Sequence, residues 1–187
     1  MRRRLLASLA ATAAVATSLL ISSAGPATAA APEASASNVS SGGVTPNAKL
    51  PTTIQVDETK FKIVATLRGV GKQIYDCSGG TATFREPAAG LFSLRGAPAG
   101  IHGKGPFWTN FDGSRVDGSG ALSAPSPDPA KNVAWLRLNA ASTGTGAFSN
   151  VQFIQRIDTR GGQPPAPCGA PTVAVDYTAN YLFWAPK

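Results

Sequence analysis

From Phe61 onward the sequence alternates apolar and polar side chains in short segments, and each segment ends near Gly, Pro, Asn or Asp. A period of two places successive side chains on opposite faces of a strand, whereas a helix needs a period near 3.6. In one segment Leu136 and Leu138 share one face, while Arg137 and Asn139 share the other. The sequence therefore predicts an all-β fold, a single antiparallel β-sandwich or β-barrel domain with long loops.

The alternation predicts strands over residues 61–67, 71–77, 81–85, 91–95, 106–111, 133–140, 151–158 and 175–184. Turns are predicted at Asp112-Gly113, at Asp117-Gly118 and at residues 160–162, where Gly or Asp supplies turn chemistry. In the last strand Tyr177, Tyr181 and Phe183 fall on one face. No amphipathic helix of ordinary length and no internal repeat accompanies these strands.

The N-terminus has the pattern of an export signal. Arg2 to Arg4 form a positive region, residues 5–21 are apolar, and Ala27-Thr28-Ala29 supplies a small-residue cleavage site. The apolar run is too short and too diluted by Ser and Thr to favour a membrane anchor. We expect a signal peptide at 1–29, a flexible Ala/Ser/Gly-rich linker at 30–49 and a β-domain at 50–187, secreted without a membrane anchor once the signal is cleaved.

The composition excludes several classes of site. The whole chain of 187 residues carries a single His and two Cys, which cannot supply a multi-His zinc site or a zinc finger. Cleavage after Ala29 removes three arginines and leaves a net charge of +4, and the remaining basic residues are scattered singly. Without a basic run to follow a phosphate backbone, nucleic acid is not an expected partner.

The two cysteines, Cys77 and Cys168, are expected to form a disulfide, because lone thiols in an exported chain usually pair. The bridge would close a loop that spans 91 positions. In the chain-entropy model such a bridge stabilises the fold by on the order of 4 kcal/mol. A catalytic cysteine is the less favoured alternative, since His102 is the only histidine that could activate it.

Several motifs in order resemble a known family. They are GKQIYDC at 71–77, GIHGKGPFW at 100–108, DGS at 112–114, VAWL at 133–136, IQRIDTRGG at 154–162, Cys168 and YTANYLF at 177–183. This set resembles the domain-of-unknown-function family 3455, small exported proteins of actinobacteria and other bacteria with fungal relatives. The resemblance spans roughly residues 50 to 187, implies an exported protein and supplies no activity.

Some fungal relatives are labelled malate dehydrogenases, and the sequence argues against that label. A dinucleotide site needs G-x-G-x-x-G between a strand and a helix. The Gly pairs at 69 and 71, 118 and 120, and 144 and 146 all lack the third Gly, and none opens a helical segment. We expect no cofactor.

The polar candidates lie within one Gly-rich stretch and comprise His102, Trp108, Asp112 and Ser114. The favoured interpretation of His102 is structural hydrogen bonding, with ligand contact and catalysis as alternatives. For catalysis, an Asp in contact would orient the imidazole and raise its pKa. Ser114 completes the residue types of an acyl-transfer triad, but it lacks a nucleophile elbow and Asp112-Gly113-Ser114 is ordinary turn chemistry.

The aromatic side chains have two interpretations. Core and rim packing is favoured for Trp108, Trp135, Trp184, Tyr75, Tyr177 and Tyr181, and a flat face for stacking on sugar rings is the alternative. Trp135 shares parity with Arg137 and Asn139, so it is the one expected to face outward. Arg156 is expected to form a cross-strand ion pair, with an anion contact as the alternative.

These observations favour an exported, disulfide-bridged, non-catalytic binding module for a cell-wall or environmental glycan. The candidate ligand-binding residues are His102, Trp108, Asp112, Tyr75 and Trp135. The alternative is a small extracellular hydrolase or lyase that uses His102 as acid or base and Asp112 as its orienter, with no metal.

Overall fold

A computed structural model describes residues 43–187, and the expected signal peptide and most of the linker lie outside that range. Eight antiparallel strands form one closed barrel in which each strand pairs with the next and the last pairs with the first. The strands are β1 (Phe61–Ser78), β2 (Thr81–Ser93), β3 (Pro98–Gly103), β4 (Phe107–Asn110), β5 (Arg115–Ala124), β6 (Trp135–Thr143), β7 (Phe153–Gly161) and β8 (Thr172–Pro186). Two 3₁₀ turns, Asn47–Lys49 and Thr52–Ile54, precede them. The all-β prediction is confirmed, as a barrel.

The strand boundaries differ from the prediction because several glycines lie inside strands rather than at turns. Segments 61–67 and 71–77 are one strand, as are 81–85 and 91–95, while β3 and β5 were not predicted. A Cβ on Gly69 would lie 2.6 Å from the Tyr181 ring, and one on Gly118 would lie 2.9 Å from the Trp108 ring. The turn predicted at Asp117-Gly118 is therefore wrong, since close packing against the interior requires that glycine. Asp112-Gly113 does form a turn.

The barrel interior is filled by alternate side chains from all eight strands, with Ala99 and His102 contributed by β3. The core comprises Leu67, Leu91, Trp108, Val116, Leu138, Phe148, Val151, Ile154, Tyr177, Ala179, Tyr181 and Phe183. Tyr177, Tyr181 and Phe183 share the interior face of β8, which confirms their predicted common parity.

A second apolar cluster lies on the outside of the barrel, where residues 44–56 pack as a strap. Leu50, Ile54 and Val56 of the strap cover Trp135 and Trp184, together with Ala124, Ile157 and Leu182. The strap is also hydrogen-bonded to the barrel, because Gln155 Nε2 donates to Asn47 Oδ1 at 2.9 Å and to the Ile54 carbonyl at 2.7 Å. Residues 44–49, assigned to the linker by composition, are therefore part of the packed domain.

The predicted disulfide is present and joins Cys77, near the end of β1, to Cys168 in the β7–β8 loop. Beside it the Tyr75 hydroxyl donates to the Gly162 carbonyl at 2.6 Å, which fixes the same loop a second time. Nowhere in residues 43–187 is there a helix long and apolar enough to cross a membrane.

Candidate ligand-binding site

The wall of the barrel has an opening above the β3–β4 hairpin. This hairpin is short, with strands of six and four residues. β2 pairs with β3 only over Ala89–Phe92, and β5 pairs with β4 only over Arg115–Asp117. The Gly118 amide still donates to the Pro106 carbonyl in the hairpin turn at 2.9 Å. Beyond that bond β2 and β5 have no neighbouring strand on that side, so the wall is open between them.

A cavity of about 580 Å³ occupies this opening, a volume in the range of small-molecule sites. Its lining comprises Phe84, Arg85, Pro87, His102, Lys104, Gly105, Pro106, Trp108, Gly118, Ser119, Gly120, Ala121, Leu136, Leu138, Arg156 and Tyr181. A bulge between Ser119 and Leu122 interrupts the pairing of β5 with β6 at the rim. Bulges often re-aim strands beside binding sites.

Two stacked rings form one wall of the cavity. His102 and Trp108 face each other across the β3–β4 ladder, with ring centroids 4.3 Å apart and an angle of 11° between the planes. The edge of Tyr181 packs against both rings. His102 is 5% exposed and Trp108 is 1% exposed, so the interior holds this pair in a single orientation.

His102 is neutral in the folded protein. The pKa of His102 is lowered to about 4, chiefly by burial; the hydrogen bond to the Phe107 carbonyl opposes this shift, and the charge of Arg156 adds to it. The Phe107 carbonyl lies 2.7 Å from Nδ1 and can only accept, so Nδ1 carries the proton. Nε2 is therefore left unprotonated, as a hydrogen-bond acceptor.

Arg156 brings a positive charge to the inner face of β7. It shares parity with Ile154 in the core and lines the cavity. Its Nε and Nη2 donate to the Ala134 carbonyl at 3.3 and 2.9 Å. The expected cross-strand ion pair is absent, since no carboxylate among residues 43–187 pairs with this guanidinium.

Burial raises the pKa of two tyrosines in this interior. The pKa of Tyr181 lies well above its usual value because the side chain is fully buried, and burial also raises the pKa of Tyr177. The two hydroxyls lie 3.1 Å apart. Both remain protonated, so Arg156 faces neutral groups.

The Trp108 indole Nε1 is buried and has no hydrogen-bond partner within the described part of the chain. Buried donors are paired in the great majority of cases, and an unpaired one costs stability. Trp108 also lines the cavity, but its Nε1 atom is itself buried.

Asp112 does not orient His102. It is exposed in the β4–β5 turn, at the end of β4 away from the cavity, where it accepts bonds from Ser114 Oγ at 2.6 Å and from the Ala147 amide at 2.7 Å. These hydrogen bonds lower the pKa of Asp112. Ser114 is buried and its hydroxyl also accepts from the Phe148 amide, so the two residues hold loops together rather than forming a triad.

The remaining predicted residues also lie outside the cavity lining. Trp135 points out of the barrel as its parity predicted, but the strap leaves it only 7% exposed. Tyr75 is bonded to Gly162 in the β7–β8 loop. Of the five predicted ligand-binding residues, His102 and Trp108 line the cavity. Sequence reasoning missed the interior position of Arg156. It shares parity with Ile154 in the core, but Ile157 on the other face is equally apolar.

A family model described as a protein of unknown function (DUF3455) matches residues 92–185. The chain belongs to this family. The DUF3455 match includes the cavity residues of β3 to β8, from His102 to Tyr181, whereas the β2 side of the rim precedes it. No match was found among curated proteins or among solved structures.

Proposed function

We propose that this protein is an exported, non-catalytic binding module that holds one small ligand with a flat apolar body in the cavity of the barrel wall. The observation that carries the proposal is a cavity of about 580 Å³ whose mostly apolar lining also includes the His102–Trp108 pair and the guanidinium of Arg156. Leu136, Leu138 and Pro106 add apolar walls. Ligand sites of this kind are mostly apolar, with a few placed polar groups.

The burial of the aromatic side chains favours a small ligand over a polysaccharide. All three Trp and all three Tyr are at most 7% exposed, so none of them can form a flat outer face for a glycan chain. Stacking on sugar rings needs an accessible ring face. A glycan could be a ligand only as a small fragment that enters the cavity.

Export is supported by the disulfide. Cys77 and Cys168 are paired, and disulfides persist mainly in oxidising compartments such as the extracellular space. The bridge therefore agrees with the signal-like N-terminal sequence, and we place the domain outside the cytoplasm.

The hydrolase or lyase alternative loses its main support in the geometry. The carboxylate expected to orient His102 is bonded to Ser114 and Ala147 in a distant turn. The pKa of His102 is lowered to about 4 rather than raised, which is far below the value favourable for a general base near neutral pH.

The test uses two fluorescent probes that share one flat body, anilinonaphthalene sulfonate and the uncharged phenylnaphthylamine. We expect saturable binding of at least one probe to the purified domain. Leu136→Trp, which fills the cavity from β6, should abolish that binding. Leu122→Trp adds the same side chain at an exposed position of β5 outside the cavity lining and should leave binding unchanged. Absence of saturable binding of both probes, or equal binding by the two variants, would overturn the proposal.

A further inference from the structure

We infer that the ligand is a small organic anion whose carboxylate or sulfonate group is held by Arg156 while its flat body lies against the apolar lining of the cavity. The inference rests on the proposed function and adds the chemical class of the ligand. It rests on the positive charge of Arg156 inside the barrel, which no carboxylate among residues 43–187 neutralises.

The first step concerns the free hydrogen-bonding capacity of Arg156. A guanidinium has five N–H donors, and the Nε and Nη2 contacts use two of them on one acceptor, the Ala134 carbonyl. The three remaining donors have no acceptor among residues 43–187. The fork geometry of these donors matches the paired oxygens of a carboxylate or sulfonate.

The second step concerns the surroundings of that charge. The groups that Arg156 influences electrostatically are His102, Tyr75, Tyr177 and Tyr181, and all are neutral near pH 7. Arg156 is only partly exposed, and a charge that is partly removed from water without a counter-ion is less favourable than a paired one. A bound anion would supply the missing counter-charge.

The third step concerns the cavity as a whole. Its charged lining residues are Arg85, Lys104 and Arg156, and no Asp or Glu lies among them. Arg85 is neutralised outside the cavity by Asp76 and Glu86, whereas within the described residues Lys104 forms no ion pair. Lys104 therefore adds to the positive potential at the entrance, which favours the approach of anions.

The fourth step excludes a bare inorganic anion as the best fit. Phe84, Pro106 and Leu136 line the cavity and keep part of their apolar surface exposed, and a phosphate alone would not cover it. An aromatic or otherwise flat body would bury these side chains. A donor group on that body could then donate to His102 Nε2.

The experiment compares the two probes on matched variants. We expect the wild-type domain to bind anilinonaphthalene sulfonate about tenfold more tightly than phenylnaphthylamine. Arg156→Gln should remove about that tenfold preference and leave the neutral probe within about twofold. Arg156→Lys should keep part of the preference, because it retains the charge but loses the fork. Arg137→Gln removes an arginine from the outer face of β6 and should change neither affinity.

The outcomes separate the two claims. Equal binding of both probes by the wild type, with no effect of Arg156→Gln, overturns the anion inference and leaves the proposed function standing. Failure of both probes to bind overturns both claims.

A competition experiment tests the class of ligand. Naphthoate should displace the sulfonate probe, and naphthalene methanol should not. Equal displacement by inorganic phosphate would overturn the requirement for a flat body. If Arg156→Gln fails to fold, Arg156→Lys and the probe comparison on the wild type decide the question.

Discussion

The folded domain should lose stability as the pH falls from neutral to mildly acid, and His102 should be the cause. The pKa of His102 is lowered from 6.5 to about 4 by burial, so the unfolded chain binds a proton more readily than the native one between these values. The contribution of neutral His102 to the free energy of unfolding is fully present above pH 6.5 and decreases as the pH falls toward 4. The full difference is worth about 3 kcal/mol, of which about 2 kcal/mol is lost by pH 5.

The single histidine makes this prediction specific. No other imidazole exists in the chain, and the two carboxyls with shifted pKa values, Asp57 and Asp112, are shifted downward and titrate below this window. Urea unfolding followed by Trp fluorescence should give an unfolding free energy that falls by about 2 kcal/mol between pH 7.5 and pH 5. The disulfide must stay intact throughout.

The control is His102→Gln, which keeps an N–H for the Phe107 carbonyl but cannot titrate. The test compares only how the free energy of unfolding changes with pH. A difference between this variant and the wild type at neutral pH therefore does not affect it. The slope should be close to zero over this window. A wild-type profile that is flat from pH 7.5 to 5, or a variant that keeps the wild-type slope, would refute the reasoning.

Three further predictions concern the elements that hold the barrel together. Replacing Cys77 and Cys168 by Ala should lower the unfolding free energy on the order of 4 kcal/mol, measured by urea unfolding, and added reductant should have no effect on that variant. Asp112→Ala should cost about 2 kcal/mol while probe affinity stays unchanged; a loss of binding in a folded variant would count against its purely structural role. Gln155→Leu should cost about 3 kcal/mol and expose residues 44–56 to limited proteolysis, because Gln155 bonds the strap and Trp184 Nε1.

The fold class followed from the sequence because strand alternation depends on local pattern alone. The strand limits did not follow, since the same residue types serve two purposes. Asp112-Gly113 forms a turn, but Gly69 and Gly118 lie in strands where a Cβ would meet the rings of Tyr181 and Trp108. Whether a glycine ends a strand or admits a neighbouring ring depends on residues distant in sequence.

The site was only half predictable for a similar reason. His102 and Trp108 were singled out because they lie in one Gly-rich stretch, and both line the cavity. Arg156 was not recognised as interior because both faces of β7 are covered, one by the core and the other by the strap. Ile154 and Ile157 therefore lie on opposite faces, and the pattern does not reveal which face is inside.

The same arrangement explains why a cavity can persist in so small a barrel. The strap covers the outer side of β6 to β8, and the disulfide with the Tyr75–Gly162 bond fixes the loops beside them. Arg156 thus projects from the best-supported part of the wall. The opposite wall is the β3–β4 hairpin, whose short strands provide few ladder bonds. The inferred anion would therefore meet a guanidinium whose position is fixed from behind, which is what a preorganised charge contact requires.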